Sequence, residues 1–202
     1  MIVLPGAKVG DAAEKAMAAA FGNSGQLCVA IERVYVPNIM KAAFEKELAE
    51  RVTAMAIGKS GDFSMDMGTL TGINQLNRVQ DFVSDAVGKG AKVLAGAKAL
   101  PEFGPYFYAP TVLTDITEDM RLNRQEVFGP LIAVMGYDNI DQAVELANDT
   151  EFGLNASVVG PTKLAKEVAG RIMAGSVNVN EGFRASMASL DSPMGGMKQS
   201  GV

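Results

Sequence analysis

Short apolar runs and longer amphipathic segments alternate along the chain, and this pattern predicts strands and helices in turn. Runs of aliphatic and β-branched residues predict strands over 2–4, 33–37, 92–94, 111–113, 131–135, 156–159 and 176–180. Apolar side chains that recur every three or four residues predict helices over 12–21, 39–55, 73–87, 140–147 and 162–172. Such alternation predicts an α/β fold with a mostly parallel sheet and helices on both faces.

Polar residues mark the expected helix starts. Asp11, with Glu14 three residues later, has the spacing of a capping box for the first helix. Asn38 is the expected cap of the second helix, and Asp138 or Asn139 that of the fourth. In parallel sheets the active groups usually lie on loops that leave the carboxyl ends of strands, so we expect any site at that edge.

Composition and charge exclude several classes of partner. The 202 residues suit one domain, and 48% apolar with 20% charged residues is typical of a globular chain. A net charge of -5 argues against nucleic acid and anionic membranes as partners. No apolar run reaches the length of a membrane span, and no cationic start precedes the first apolar residues. A single cysteine excludes an internal disulfide and favours a cytoplasmic location.

The chain contains no histidine, which limits its possible chemistry. Cys–His and Ser–His catalytic pairs are excluded within the chain, and so are Cys/His zinc sites. We therefore predict no metal site. Any base that activates a nucleophile or a water must be a Glu, Asp or Lys, or must come from outside the chain. No G-x-G-x-x-G follows a predicted strand, so the chain has no ordinary dinucleotide fingerprint.

The cysteine, Cys28, lies just after a turn that contains Gly22 and Gly25. Glycines can adopt backbone angles that a Cβ forbids, so both are expected to shape a tight turn. A lone thiol in such a turn is a candidate covalent nucleophile. The alternative is a buried structural cysteine that packs as a small hydrophobe, which is the commoner role of free cysteines.

Three stretches, in this order, resemble motifs of the aldehyde dehydrogenase superfamily. The segment 23–28 (N-S-G-Q-L-C) resembles the cysteine motif, and 126–130 (E-V-F-G-P) resembles the E-x-F-G-P motif. The segment 193–201 (P-M-G-G-M-K-Q-S-G) resembles the P-x-G-G-x-K-x-S-G signature. The resemblance covers essentially the whole chain and implies the α/β fold of that family's catalytic domain.

The resemblance also implies roles for individual residues. Cys28 would be the nucleophile that attacks an aldehyde carbonyl and carries the thioester. Glu126 would hold the nicotinamide ribose of NAD or NADP, and Phe128 would offer an apolar wall to the nicotinamide. Without the resemblance, Glu126 would be interpreted as a solvated turn residue and Phe128 as part of the core.

The amino-acid sequence around Cys28 and in the tail is most similar to that of succinate-semialdehyde dehydrogenases, whose small aldehyde substrate ends in a carboxylate. Ser189 matches the family's substrate-contacting serine, four residues before the proline of the tail signature. Relatives often place an arginine six residues before the cysteine, where this chain has Gly22. Arg184 is a candidate replacement cation for the substrate carboxylate. Alternatively, Arg184 is an exposed loop charge.

Some parts of the family have no counterpart in residues 1–202. The motif with the general-base glutamate, the coenzyme-binding domain and the C-terminal oligomerisation strand are all missing. We therefore expect 1–202 to be the catalytic domain only, inactive when isolated, and the full-length protein to be a homo-oligomer. Two alternatives stay open: a CoA-acylating or reductive member of the superfamily, and a noncatalytic scaffold or oligomerisation domain.

Overall fold

The computed structural model describes residues 1–62, 64–189 and 191–201. Its strands are β1 (Ile2–Val3), β2 (Arg33–Pro37), β3 (Lys92–Ala95), β4 (Thr111–Thr114), β5 (Leu131–Tyr137), β6 (Phe152–Gly153), β7 (Asn155–Val159), β8 (Ser176–Val179) and β9 (Met197–Lys198). Its helices are α1 (Val9–Phe21), α2 (Asn38–Thr53), α3 (Ile73–Gly88), α4 (Ile140–Asn148), α5 (Thr162–Ala169) and α6 (Arg184–Ala188).

Seven strands form the central sheet, in the order β3-β4-β5-β2-β1-β7-β8. All neighbours are parallel except β3 and β4, which pair antiparallel at one edge with an irregularity between Val93 and Ala95. The strands β6 and β9 form a separate antiparallel pair. The predicted mostly parallel α/β sheet is confirmed, and its seven strands match the predicted ones to within two residues at each end.

Helices cover both faces of the sheet because side chains along each strand alternate between the faces. Val34 and Val36 pack with α1 and α2 on one face. Tyr35 packs on the opposite face, in the cluster that includes α4 and α5. On that second face α3 covers the β4–β5 side, where it contacts Leu131 and Ala133. Among the described residues, no helix combines the length and the apolar character needed to cross a bilayer.

Two of the three expected helix caps are wrong. The first helix begins at Val9, so Asp11 lies inside its first turn and forms an ion pair with Lys15. Likewise α2 begins at Asn38, whose amide donates to Asp138 at 2.7 Å instead of capping the helix. In both cases the helix starts earlier than the cap residue alone suggests. Asn139 does cap α4, because its side chain accepts from the N–H of Gln142 at 3.0 Å.

A turn over Gly22–Gly25 connects α1 to the segment that leads into β2. Asn23, Ser24 and Gly25 follow one another in the left-handed region, with φ of 52°, 57° and 70°. Gly22 has a φ of -52°, which any residue can adopt, so the expectation that it shapes the turn by its special angles is wrong. Gly25 is needed for a second reason, since a Cβ there would overlap the carbonyl oxygen of Gly129.

We predict that Gly25→Ala lowers the free energy of unfolding by about 3 kcal/mol, because the added Cβ combines a left-handed φ with a backbone clash. Urea unfolding followed by circular dichroism measures the change. Gly61→Ala is the matched control, since open space surrounds that glycine. Its effect should stay within about 0.5 kcal/mol. Equal effects of the two substitutions would contradict the close contact between Gly25 and Gly129.

Candidate active site

The three segments that resemble family motifs, 23–28, 126–130 and 193–201, meet at a cleft of about 380 Å³. Residues from each stretch line it, together with residues of the β6–β7 segment. The lining includes Leu27, Cys28, Glu32, Arg124, Gln125, Glu126, Gly153, Asn155, Gln199 and Ser200. The stretches are far apart in sequence, so their convergence on one cleft is a property of the fold.

The thiol of Cys28 is exposed at this cleft. The residues around it are fixed by backbone contacts: the N–H of Ala30 donates to the carbonyl of Leu27 at 2.9 Å, and the N–H of Ile31 donates to Ala19 of α1 at 3.1 Å. The backbone N–H of Cys28 donates to none of the described residues. The exposed position excludes the interpretation of Cys28 as a packed core residue.

Polar side chains of the turn explain why its sequence is so specific. Gln26 is buried, and its carbonyl oxygen accepts from the N–H of Thr71 at 2.8 Å while its amide donates to the carbonyl of Asn23 at 3.2 Å. The hydroxyl of Ser24 donates to the carbonyl of Gly68 at 3.1 Å. These bonds attach the turn to the 68–71 segment and hold its left-handed backbone in place.

The loop of residues 126–129 lies beside this turn, because Gly129 is in close contact with Gly25. Glu126 is exposed and lines the cleft, whereas Phe128 is half-buried, has a φ of 58° and lies outside the lining set. From α3, Gln75 donates to the carbonyls of Phe128 and Val127 at 2.6 and 3.1 Å. The guanidinium of Arg78, also on α3, donates to the carbonyls of Val127 and Glu126.

Glu32 holds the same loop from the opposite side, and the sequence pattern did not identify it. Its carboxylate accepts from the N–H of Val127 at 2.9 and 3.0 Å and from the N–H of Phe128 at 2.8 Å. Burial raises the pKa of Glu32 above its usual value and the charge of Glu126 adds to this, while the two N–H groups and Arg33 act in the opposite direction. An acidic residue between the buried Ile31 and Val34 was the one available signal.

The tail signature is anchored by its lysine and serine. The ammonium of Lys198 donates to the carbonyls of Asn148 and Thr150 at 2.6 and 2.9 Å. The hydroxyl of Ser200 accepts from the N–H of Gly153 at 3.0 Å, beside the β6–β9 pair. The lysine and serine of the signature therefore place Gln199 and Ser200 in the cleft wall.

Ser189 and Arg184 lie outside the lining of the Cys28 cleft. Ser189 lines a separate cavity of about 320 Å³ after β8, and its hydroxyl lies 2.5 Å from that of Ser192. Arg184 is exposed and is the first residue of α6, where the sequence suggested a loop. The structure therefore does not bring either side chain into one cavity with the thiol.

A chain of side-chain hydrogen bonds connects the two regions. Ser186 of α6 donates to Asn178 at 3.0 Å, and Asn178 donates to Asn155 at 2.9 Å. Asn155 in turn donates to the carbonyl of Val29, the residue after Cys28, at 2.8 Å. The segment that carries Arg184 and Ser189 is thus attached to the cysteine segment through amide groups.

The cleft lies at the amino ends of the strands that carry it. Cys28 and Glu126 precede β2 and β5, which are adjacent and parallel with Arg33 opposite Ala133. The expectation that the site lies at the carboxyl edge is therefore wrong. The segments that contain Cys28 and Glu126 both lead into strands, and neighbouring parallel strands bring their preceding segments to the same edge.

Comparison with known proteins finds similarity to aldehyde dehydrogenases along the whole chain. The family model described as the aldehyde dehydrogenase family matches residues 1–202. A protein of Mycobacterium ulcerans named "Putative succinate-semialdehyde dehydrogenase (NADP+) 2" is 48% identical over 203 residues, covering 100% of this chain and 39% of its own length. A Mycolicibacterium smegmatis protein with a similar name is 45% identical with the same coverage.

Solved structures agree with this result. Apo betaine aldehyde dehydrogenase of Staphylococcus aureus has a TM-score of 0.92 at 30% identity, with 100% of this chain and 40% of that chain covered. The NAD+ complex of an aldehyde dehydrogenase from Bacillus cereus has a TM-score of 0.90 at 32% identity and the same coverage. The chain spans about two fifths of the length of the relatives it matches. On the match across all 202 residues, the chain belongs to the aldehyde dehydrogenase family.

Proposed function

We propose that this chain is the catalytic part of an NAD(P)-dependent aldehyde dehydrogenase that oxidises succinate semialdehyde to succinate, with Cys28 as the nucleophile. The observation that carries the proposal is the cleft in which an exposed thiol faces the same space as Glu126 and the tail signature. The names of the mycobacterial relatives support the choice of substrate.

The first step is nucleophilic attack by Cys28. Its thiolate sulfur attacks the aldehyde carbon, a C–S bond forms, and the π electrons of the carbonyl move to the oxygen. The backbone N–H of Cys28, which donates to none of the described residues, is available to that oxyanion. With a bound nicotinamide as the acceptor, loss of hydride from the same carbon would re-form the carbonyl as a thioester, and water would cleave that thioester to release the acid and the thiol.

The described residues fit a nicotinamide cofactor at the Glu126 side of the cleft. An exposed carboxylate accepts two hydrogen bonds well, which suits the two hydroxyls of a ribose. The apolar ring of Phe128 follows two residues later, on a backbone that Glu32, Gln75 and Arg78 hold. When bound, NAD or NADP supplies the acceptor for the hydride.

For the substrate carboxylate we propose Ser189 and Arg184 as contacts. The hydrogen bonds from Asn155 through Asn178 to Ser186 support this, because they attach α6 to the segment after Cys28. Both proposed contacts are exposed, so an incoming anion can reach them.

We predict that Cys28→Ala and Cys28→Ser lower kcat/KM of the full-length protein for succinate semialdehyde on the order of 10³-fold or more, since residues 1–202 contain no other thiol that could act as the nucleophile in this cleft. Formation of the reduced cofactor measures the rate with NAD and with NADP. Ser84→Ala, an exposed substitution on α3, is the control and should leave the rate unchanged. Activity of Cys28→Ala close to that of the control would contradict the proposal.

The carboxylate contacts predict discrimination between two aldehydes of equal chain length. Succinate semialdehyde should have a kcat/KM on the order of 10²-fold above that of butanal, which has a methyl group in place of the carboxylate. Arg184→Gln should reduce this ratio mainly through KM for succinate semialdehyde. Equal values of kcat/KM for the two aldehydes would contradict carboxylate recognition.

We further propose that the isolated chain 1–202 does not turn over. The family's general-base glutamate has no counterpart in this sequence, and the two carboxylates of the cleft, Glu32 and Glu126, are assigned to other tasks. Circular dichroism of the isolated chain would establish that it is folded before the assay. NAD(P)-dependent oxidation of succinate semialdehyde by the folded chain would contradict this proposal.

A further inference from the structure

We propose that Glu32 is a positioning residue that fixes the loop of residues 126–129 and thereby sets the affinity for the nicotinamide cofactor. The inference rests on the proposed function, because it assigns the cofactor to Glu126 and Phe128. Glu32 itself acts through the backbone of the loop and does not need to touch the cofactor.

The carboxylate of Glu32 binds two consecutive N–H groups of the loop. One oxygen of Glu32 accepts from the N–H groups of both Val127 and Phe128, at 3.0 and 2.8 Å, and the other oxygen accepts from Val127 at 2.9 Å. These N–H groups belong to consecutive residues, so one side chain binds the peptide that follows Glu126. An ionised carboxylate suits this arrangement because it has only acceptors.

The opposite side of the loop is held by donors. Gln75 and Arg78, one turn apart on α3, donate to the carbonyls of Val127 and Phe128. The loop therefore lies between a carboxylate that binds its N–H groups and two side chains that bind its carbonyls. This enclosure supports a φ of 58° at Phe128, a conformation that non-glycine residues keep only where neighbouring groups impose it.

The side chain of Glu126, in contrast, is exposed in the cleft wall. Its direction depends on the backbone to which it is attached, and that backbone is what Glu32 binds. Glutamine at position 32 would keep the shape but would turn an NH₂ group toward one of the two N–H groups. Aspartate would keep the charge but would withdraw it by one methylene from the loop.

The test uses the full-length protein with Glu32→Gln, Glu32→Asp and the exposed control Glu50→Gln on α2. For Glu32→Gln we expect KM for the cofactor to rise about tenfold, as for the loss of a charge-assisted hydrogen bond. KM for the aldehyde and kcat at saturating cofactor should change less than about threefold. Glu32→Asp should lie between Glu32→Gln and the wild type, and Glu50→Gln should match the wild type.

Hydrogen exchange of the free protein gives a readout that is independent of activity. The amides of 127 and 128 should exchange faster in Glu32→Gln than in the control, while those of the 68–71 segment should not change. If Glu32→Gln does not fold, Glu32→Asp serves for both measurements, with the same direction and a smaller size.

Several results would overturn the inference. Unchanged cofactor KM in an active enzyme would overturn it and leave the proposed function intact. An equal fall in kcat and in the affinity for both substrates would show a purely structural role. A wild-type protein that binds neither NAD nor NADP would overturn the proposed function, and this inference with it.

Discussion

The contact between the backbones of Gly25 and Gly129 is the constraint on which the site depends. The two glycines belong to the turn before Cys28 and to the loop after Glu126, and a side chain at Gly25 would overlap the carbonyl of Gly129. Each segment leads into one of two adjacent parallel strands, β2 and β5. The sheet therefore fixes the distance between the two segments, and the glycine contact fixes their orientation. Thiol and carboxylate reach the same cleft as a consequence.

Long polar side chains hold the irregular segments in place at this edge of the sheet. Gln26, Glu32 and Gln75 each satisfy backbone groups of a neighbouring irregular segment, in positions where water would otherwise have to bind. Within the described part of the chain, no buried side-chain nitrogen or oxygen lacks a hydrogen-bond partner. Among these three side chains, Glu32 loses the most hydration free energy on burial, because burial opposes its charge and raises its pKa. Its hydrogen bonds to the N–H groups of Val127 and Phe128 offset part of that cost and hold the loop of residues 126–129 in place.

The sequence predicted the regular part of the fold well. The apolar run at Leu131–Tyr137 forms a central strand, since burial on both faces of the sheet leaves little place for polar residues. Helix starts were less predictable, because α1 and α2 begin without a side-chain cap hydrogen bond. The resemblance to the family identified Cys28 and Glu126, and the structure shows that both line one cleft. Contacts between distant segments, such as Glu32 with Phe128, leave no periodic pattern in the sequence and appeared only in three dimensions.

The exposed thiol of Cys28 should be open to a carbonyl compound in the folded protein. Alkylation of the native full-length protein with iodoacetamide, followed by mass spectrometry of the Cys28 peptide, tests it directly. Cys28 should be modified without unfolding, and succinate semialdehyde should slow the modification by occupying the same cleft. Modification that occurs only after unfolding, or that the aldehyde leaves unchanged, would contradict it.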